Sequence, residues 1–179
     1  MKAILCKSYG PPENLVLEEV QDLNPKEGEA LVEVHAAALN FPDTLQIAGE
    51  YQFQPPLPFS PGSEASGIII ELGPNIKGFE IGDRVMAIPK VGAMAEQVCV
   101  PASGLRKIPD SMNFKTASGF AMVYTTSYYA LKQRANLKPG ETLLVLGASG
   151  GVGVTAVELG KLMGAQVIAG ASSEEKLQF

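Results

Sequence analysis

Positive charge, cysteine and histidine are all scarce in this chain, and each shortage removes a class of function. Lys and Arg number 14 against 19 Asp and Glu in 179 residues, a formal net charge of −5. No basic cluster stands against that balance, so the electrostatic footprint of a nucleic-acid binder is missing. The two cysteines, Cys6 and Cys99, read as reduced thiols on strands rather than a disulfide framework. The one histidine, His35, shares a strand face with Glu33 and reads as a solvated surface residue. Long apolar runs are absent too: none approaches the roughly 20 residues that a membrane-crossing helix needs. The opening MKAILCKSYG has neither an apolar segment nor an Arg-rich pattern, which predicts no targeting peptide. These shortages predict a cytoplasmic protein, with the mitochondrion as the alternative compartment, and no membrane or nucleic-acid partner.

Proline and glycine are plentiful and unevenly placed. Eleven of the 13 prolines precede position 105. They separate short apolar stretches that predict strands at 2–6, 15–20, 30–39, 65–72, 84–88 and 96–100. A short helix is predicted over 42–48, with Asp43 in its first turn. Asp83-Arg84 predicts a turn closed by a salt bridge between the two. The character changes near Asn113: 114–132 predicts one helix, and Thr142–Leu146 a strand buried on both faces. A helix follows over 153–163, then a second buried strand over 166–169, then the start of another helix at 172–179. The expectation is an α/β plus β chain, a β-rich domain over 1–125 followed by a βαβ unit over 126–179.

Between the first of those late strands and its helix lies LGASGGVG, Leu146 to Gly153. Gly147, Gly150 and Gly153 fall three residues apart, with Gly151 added. Such a turn permits a tight bend, lets a pyrophosphate approach bare backbone at Ser149, Gly150, Gly151 and Val152, and lets helix and strand pack closely at Gly153. About 20 residues beyond the loop, an NAD site offers a carboxylate to the ribose hydroxyls. Ser172 and Ser173 stand there instead, with Lys176 one turn on. Small hydroxyls and an ammonium suit the 2′-phosphate of NADP(H), which a carboxylate would repel. Read locally, Ser172-Ser173-Glu174-Glu175 is also a helix cap followed by first-turn acids. The two readings are compatible.

Asn40-Phe41-Pro42-Asp43, Pro61-Gly62-Ser63-Glu64-Ala65-Ser66-Gly67, Gly82-Asp83-Arg84-Val85 and the glycine turn occur in one order and spacing. That set resembles the medium-chain dehydrogenase/reductase superfamily, specifically its zinc-free quinone oxidoreductase branch. The resemblance implies a GroES-like catalytic domain followed by the first βαβ of a Rossmann domain, incomplete in these 179 residues, and hence a fragment or shortened form of a longer homodimeric reductase. Weak NADPH affinity and little turnover are the expectation for this chain alone. Zinc-dependent relatives carry Cys where this sequence has Asn40 and His where it has Ser63, and 120–126 contains no third cysteine ligand, so no metal is implied.

By the same resemblance, Asn40 lies near the nicotinamide, Tyr51 faces cofactor or substrate and is the candidate for polarising the acceptor oxygen, and Thr126 touches the nicotinamide end. Asp43 orients the Asn40 loop, Glu64 supports the fold beside it, and 51–59 forms the mouth of an apolar cleft. The implied activity is NADPH-dependent reduction of a quinone or an α,β-unsaturated carbonyl. The alternatives are an enoyl (thioester) reductase of the same superfamily and a non-catalytic binding or structural form.

Overall fold

The computed structural model describes residues 1–178, which fall into two compact units, Met1–Gly119 and a second that begins at Phe120. In the first unit β1 (Lys2–Leu5) pairs antiparallel with β2 (Val16–Glu19). A five-stranded antiparallel sheet follows, built from β3 (Glu29–Ala37), β4 (Ala65–Leu72), β5 (Arg84–Ala87), β6 (Gln97–Pro101) and β7 (Leu105–Lys107), in the order β6-β3-β4-β5-β7. Small and β-branched residues alternate inward along these strands. Ala30, Val32, Ala65, Ile69, Val85, Ala87, Val98, Val100 and Leu105 form one buried cluster, the kind of half-buried pleated surface that β-branched residues fill well. Helix α1 (Phe41–Ala48) crosses from β3 towards β4, and α2 (Phe114–Ser118) ends the unit.

One feature corrects the sequence reading of this half. Asp83 and Arg84 do not pair with each other. Asp83 meets Lys107 at 2.8 Å, and that hydrogen bond holds its carboxyl below the usual range. Arg84 instead donates to the carbonyls of Pro109 and Met112 and sits over the Phe114 ring, 4.7 Å from its centroid. His35 is exposed, as its strand pattern predicts. A register shift between Val34 and Ala36 marks a bulge at His35, its ring lies 4.5 Å from Phe114, and Nε2 is 3.2 Å from Glu33. Cys6 is buried, and burial pushes the Cys99 thiol up to about 11. Both are therefore protonated, unreactive packing groups near neutral pH.

The second unit contains α3 (Ala121–Tyr128), β8 (Thr142–Leu146), α4 (Gly151–Leu162), β9 (Gln166–Gly170) and α5 (Glu174–Leu177). β8 and β9 pair in parallel, Thr142 opposite Gln166 through Leu146 opposite Gly170. The single helix expected over 114–132 is broken at Gly119-Phe120, and α3 runs on into a wider π turn over Tyr129–Arg134. Neither late strand is buried on both faces. Leu143, Val145 and Val167 turn towards α4, while Leu144, Leu146 and Ile168 are 57%, 79% and 54% exposed. Among the described residues no helix is long and apolar enough to cross a membrane.

Candidate functional site

The glycine turn is shaped by what its backbone must avoid. β8 delivers the chain to Gly147, whose φ of +70° is a left-handed conformation that side chains resist. Ala148 N–H then donates to Gly170 O at the end of β9, and Gly150 N–H folds back onto Gly147 O. Gly153 is forced by packing: a Cβ there would lie 2.2 Å from Gly147 O. A Cβ at Gly151 would meet Val123 Cγ1 at 3.0 Å, so this middle glycine serves close helix packing. Gly150 differs. Its φ of −79° suits any residue, and an added Cβ would come no closer than 3.5 Å to protein. Nothing in the fold demands a bare backbone at Gly150.

α4 begins two residues earlier than the apolar periodicity suggests, at Gly151 rather than Gly153. That places Gly151, Val152 and Gly153 in the first helical turn, where N–H groups have no intrahelical acceptor. The first bond of the helix is Val154 N–H to Gly150 O, 2.8 Å. No acidic residue occupies the turn, so the positive end of the helix dipole is uncompensated.

Beside this turn runs an open groove of about 510 Å³, lined by Leu146, Gly147, Ser149, Gly150, Gly170, Ala171, Ser172 and Lys176. The two serines divide their labour. Ser173 caps α5, accepting from Lys176 N–H, and Ser172 Oγ accepts from Lys176 Nζ at 3.1 Å. Glu174 and Glu175 occupy the first turn of α5 and do not line the groove. Ser149, Gly150, Ser172 and Lys176 are thus brought together. Thr126 is not with them: it is exposed on α3, its hydroxyl donating back to Met122 O at 2.6 Å. A second cluster on this unit gave no sequence signal. Buried Ser127 and Thr155 meet at 2.7 Å between α3 and α4, a pairing that only the packing of the two helices creates.

In the first unit, β3 and β4 end side by side, with Ala37 opposite Ala65, and their ends carry a polar cluster. Asn40 precedes α1, and its Nδ2 donates to Glu64 Oε2 at 3.2 Å. Asp43, three residues on, accepts Asn40 N–H at 2.8 Å and the Ser63 hydroxyl at 3.2 Å. Asp43 and Glu64 are 4% and 0% exposed. The cluster orients the Asn40 amide: one Nδ2 hydrogen goes to Glu64, and the capping box of α1 joins its side chain to the backbone of Asp43, leaving a second N–H and an oxygen lone pair for other partners. Among the described residues no three His, Cys, Asp or Glu side chains converge as a metal site. Tyr51 is half-buried and lies outside these hydrogen bonds. The segment 51–59 divides: Phe53 and Leu57 are exposed, whereas Phe59 packs with Cys6 and Ile47 in a core cluster and is no part of a cleft mouth.

Comparison with known proteins places this geometry. Residues 26–110 match the alcohol dehydrogenase GroES-like domain family. The chain is 41% identical to a quinone oxidoreductase-like protein 2 homolog of Nematostella vectensis, covering 98% of this chain and 48% of that one. It superposes on the crystal structure of the human synaptic vesicle membrane protein VAT-1 homolog-like protein with a TM-score of 0.94 and 38% identity, over 99% of this chain and 58% of the other. The Escherichia coli quinone oxidoreductase, solved as a complex with NADPH, gives a TM-score of 0.93 at 32% identity, over 99% and 55%. The chain spans about half the length of the curated relatives it matches.

Proposed function

We propose that this chain, which belongs to the medium-chain dehydrogenase/reductase superfamily among its quinone oxidoreductase-like members, binds NADPH at the Gly147–Gly153 turn and serves zinc-independent reduction of a quinone or an α,β-unsaturated carbonyl. The observation that carries this reading is one groove holding both the bare backbone at Gly150 and the Lys176–Ser172 pair. N–H groups of Gly151, Val152 and Gly153 offer donors to diphosphate oxygens. Lys176 and Ser172 supply a cation and a hydroxyl for a 2′-phosphate, and no carboxylate lines the groove to repel it.

NADPH supplies the hydride, and the chain's residues position and polarise. Asn40, its amide held by Glu64, presents a fixed acceptor suited to the N–H of a carboxamide. Tyr51 supplies a hydroxyl to the acceptor oxygen, and Thr126 contributes at the nicotinamide end. A zinc ion is disfavoured by the donor set: an amide and a hydroxyl, each already hydrogen-bonded at Asn40 and Ser63, are poor ligands beside thiolate and imidazole.

The test is the ranking of acceptors and coenzymes by the chain, with NADPH oxidation followed at 340 nm. Turnover by these 179 residues is expected to be small, and to rank 1,4-naphthoquinone with NADPH first, NADH slower, and an enoyl-CoA slower still. A preference for the enoyl-CoA would transfer the reading to an enoyl reductase. Bound NADPH with no turnover of either acceptor would favour a non-catalytic role.

A further inference from the structure

The glycine turn does not rest on β8 alone. Val123 and Ser127, four residues apart on α3 and so on one face of it, pack against the first turns of α4. Val123 Cγ1 would lie 3.0 Å from a Cβ at Gly151. Ser127 Oγ lies 2.9 Å from Val152 O and 2.7 Å from Thr155 Oγ1. Thr155 Oγ1 in turn lies 3.1 Å from Gly151 O, 3.1 Å from Val152 O and 3.2 Å from Val123 O. The two hydroxyls carry two protons. One bridges the pair, and the other goes to a carbonyl, so in either arrangement a carbonyl of this small set is held. Ser127 and Thr155 are 1% and 4% exposed, and buried hydroxyls without partners would be costly.

The carbonyls involved are those that matter to the groove. A peptide group is planar, so holding Gly151 C=O sets the direction of Val152 N–H, and holding Val152 C=O sets that of Gly153 N–H. Those are two of the three N–H groups at the start of α4 that have no intrahelical acceptor. We propose that the Ser127–Thr155 hydroxyl pair is the positioning device of this turn, holding one of these two peptide planes at a time from behind so that its N–H group meets a diphosphate without rearranging. The pair touches no ligand. Its contribution is preorganisation, which lowers the cost of binding rather than adding a contact. The proposal rests on the reading of the turn as a coenzyme diphosphate site.

The experiment compares NADPH, ADP and adenosine binding to the full chain by NMR titration, for wild type, Ser127→Ala, Thr155→Val, the double variant and Thr155→Ser. Each single removal leaves one hydroxyl able to donate to Val152 O, so it is expected to raise Kd for NADPH and for ADP by less than about twofold while leaving adenosine unchanged. The double variant, which removes both donors, is expected to raise Kd for NADPH and ADP about fivefold, the size expected for one hydrogen bond. Thr155→Ser, which keeps the hydroxyl, should stay within about twofold of wild type. If the double removal lowers Tm but leaves the ratio of ADP to adenosine affinity unchanged, the pair only supports the fold and the proposal fails. If wild type binds neither NADPH nor ADP, the coenzyme reading itself fails first.

Discussion

Gly153→Ala is expected to destabilise the second unit by about 3 kcal/mol, the upper part of the range for forcing a methyl into occupied space. The contact is with a backbone oxygen, 2.2 Å from the new Cβ, and a carbonyl at the hinge of the turn cannot step aside as a flexible side chain would. An equilibrium penalty of that size corresponds to a factor of about 100, so NADPH affinity should fall with the fold. Gly150→Ala supplies the contrast. Its methyl meets protein only at 3.5 Å and its backbone is ordinary, so stability should change by less than about 0.5 kcal/mol. If the bare backbone serves a ligand, the methyl would crowd the coenzyme, and NADPH Kd should rise about tenfold, near 1.4 kcal/mol. Urea unfolding and coenzyme titration on both variants check the pair. A Gly150→Ala chain that binds NADPH as well as wild type would remove the functional reason for that glycine.

The second large effect is expected at Asp43. Its two oxygens answer the Asn40 N–H and the Ser63 hydroxyl, and it is 4% exposed. Asp43→Ala strands both donors in a dry site, at about 1–3 kcal/mol for each unsatisfied group, and removes the acid from the first turn of α1. We expect a loss of about 3 kcal/mol, read from the urea midpoint with the m-value unchanged. Asp43→Asn keeps the shape and one acceptor oxygen, so its loss should be about half as large. Because Asn40 is tied to the same carboxylate, quinone-dependent NADPH oxidation should fall in both variants. A midpoint that moves by less than about 0.5 kcal/mol in Asp43→Ala would show that the cluster does not hold the loop.

Much of this was legible in the residues, for reasons that differ by element. The larger strands of the first unit announce themselves through proline and glycine punctuation and short apolar runs, and β4 begins and ends where its run does. β7 escaped notice because Leu105–Lys107 offers three residues, two of them charged; it is a strand only because β5 gives it a partner. The 114–132 stretch has the composition of one helix, yet Gly119-Phe120 breaks it, a tertiary outcome that propensity does not contain. The apolar run Thr142–Leu146 suggests two buried faces, whereas only the face towards α4 is covered among the described residues. At the site, Gly147 and Gly153 could be read because their constraints are local. The division between Ser173 as cap and Ser172 as partner of Lys176 needed the helix start to be known to one residue. The Ser127–Thr155 contact joins residues 28 apart, and no local pattern encodes it.

The central claim is that the main chain at 147–153 and the Lys176–Ser172 pair together receive a phosphorylated dinucleotide. Backbone amide NMR of the chain titrated with NADPH tests it most directly. Saturable shifts are expected at Gly150, Gly151, Val152, Gly153 and Lys176, with NADH moving the loop amides at higher concentration and Lys176 hardly at all. Saturable NADPH shifts confined to another surface, with those five amides unmoved, would contradict it.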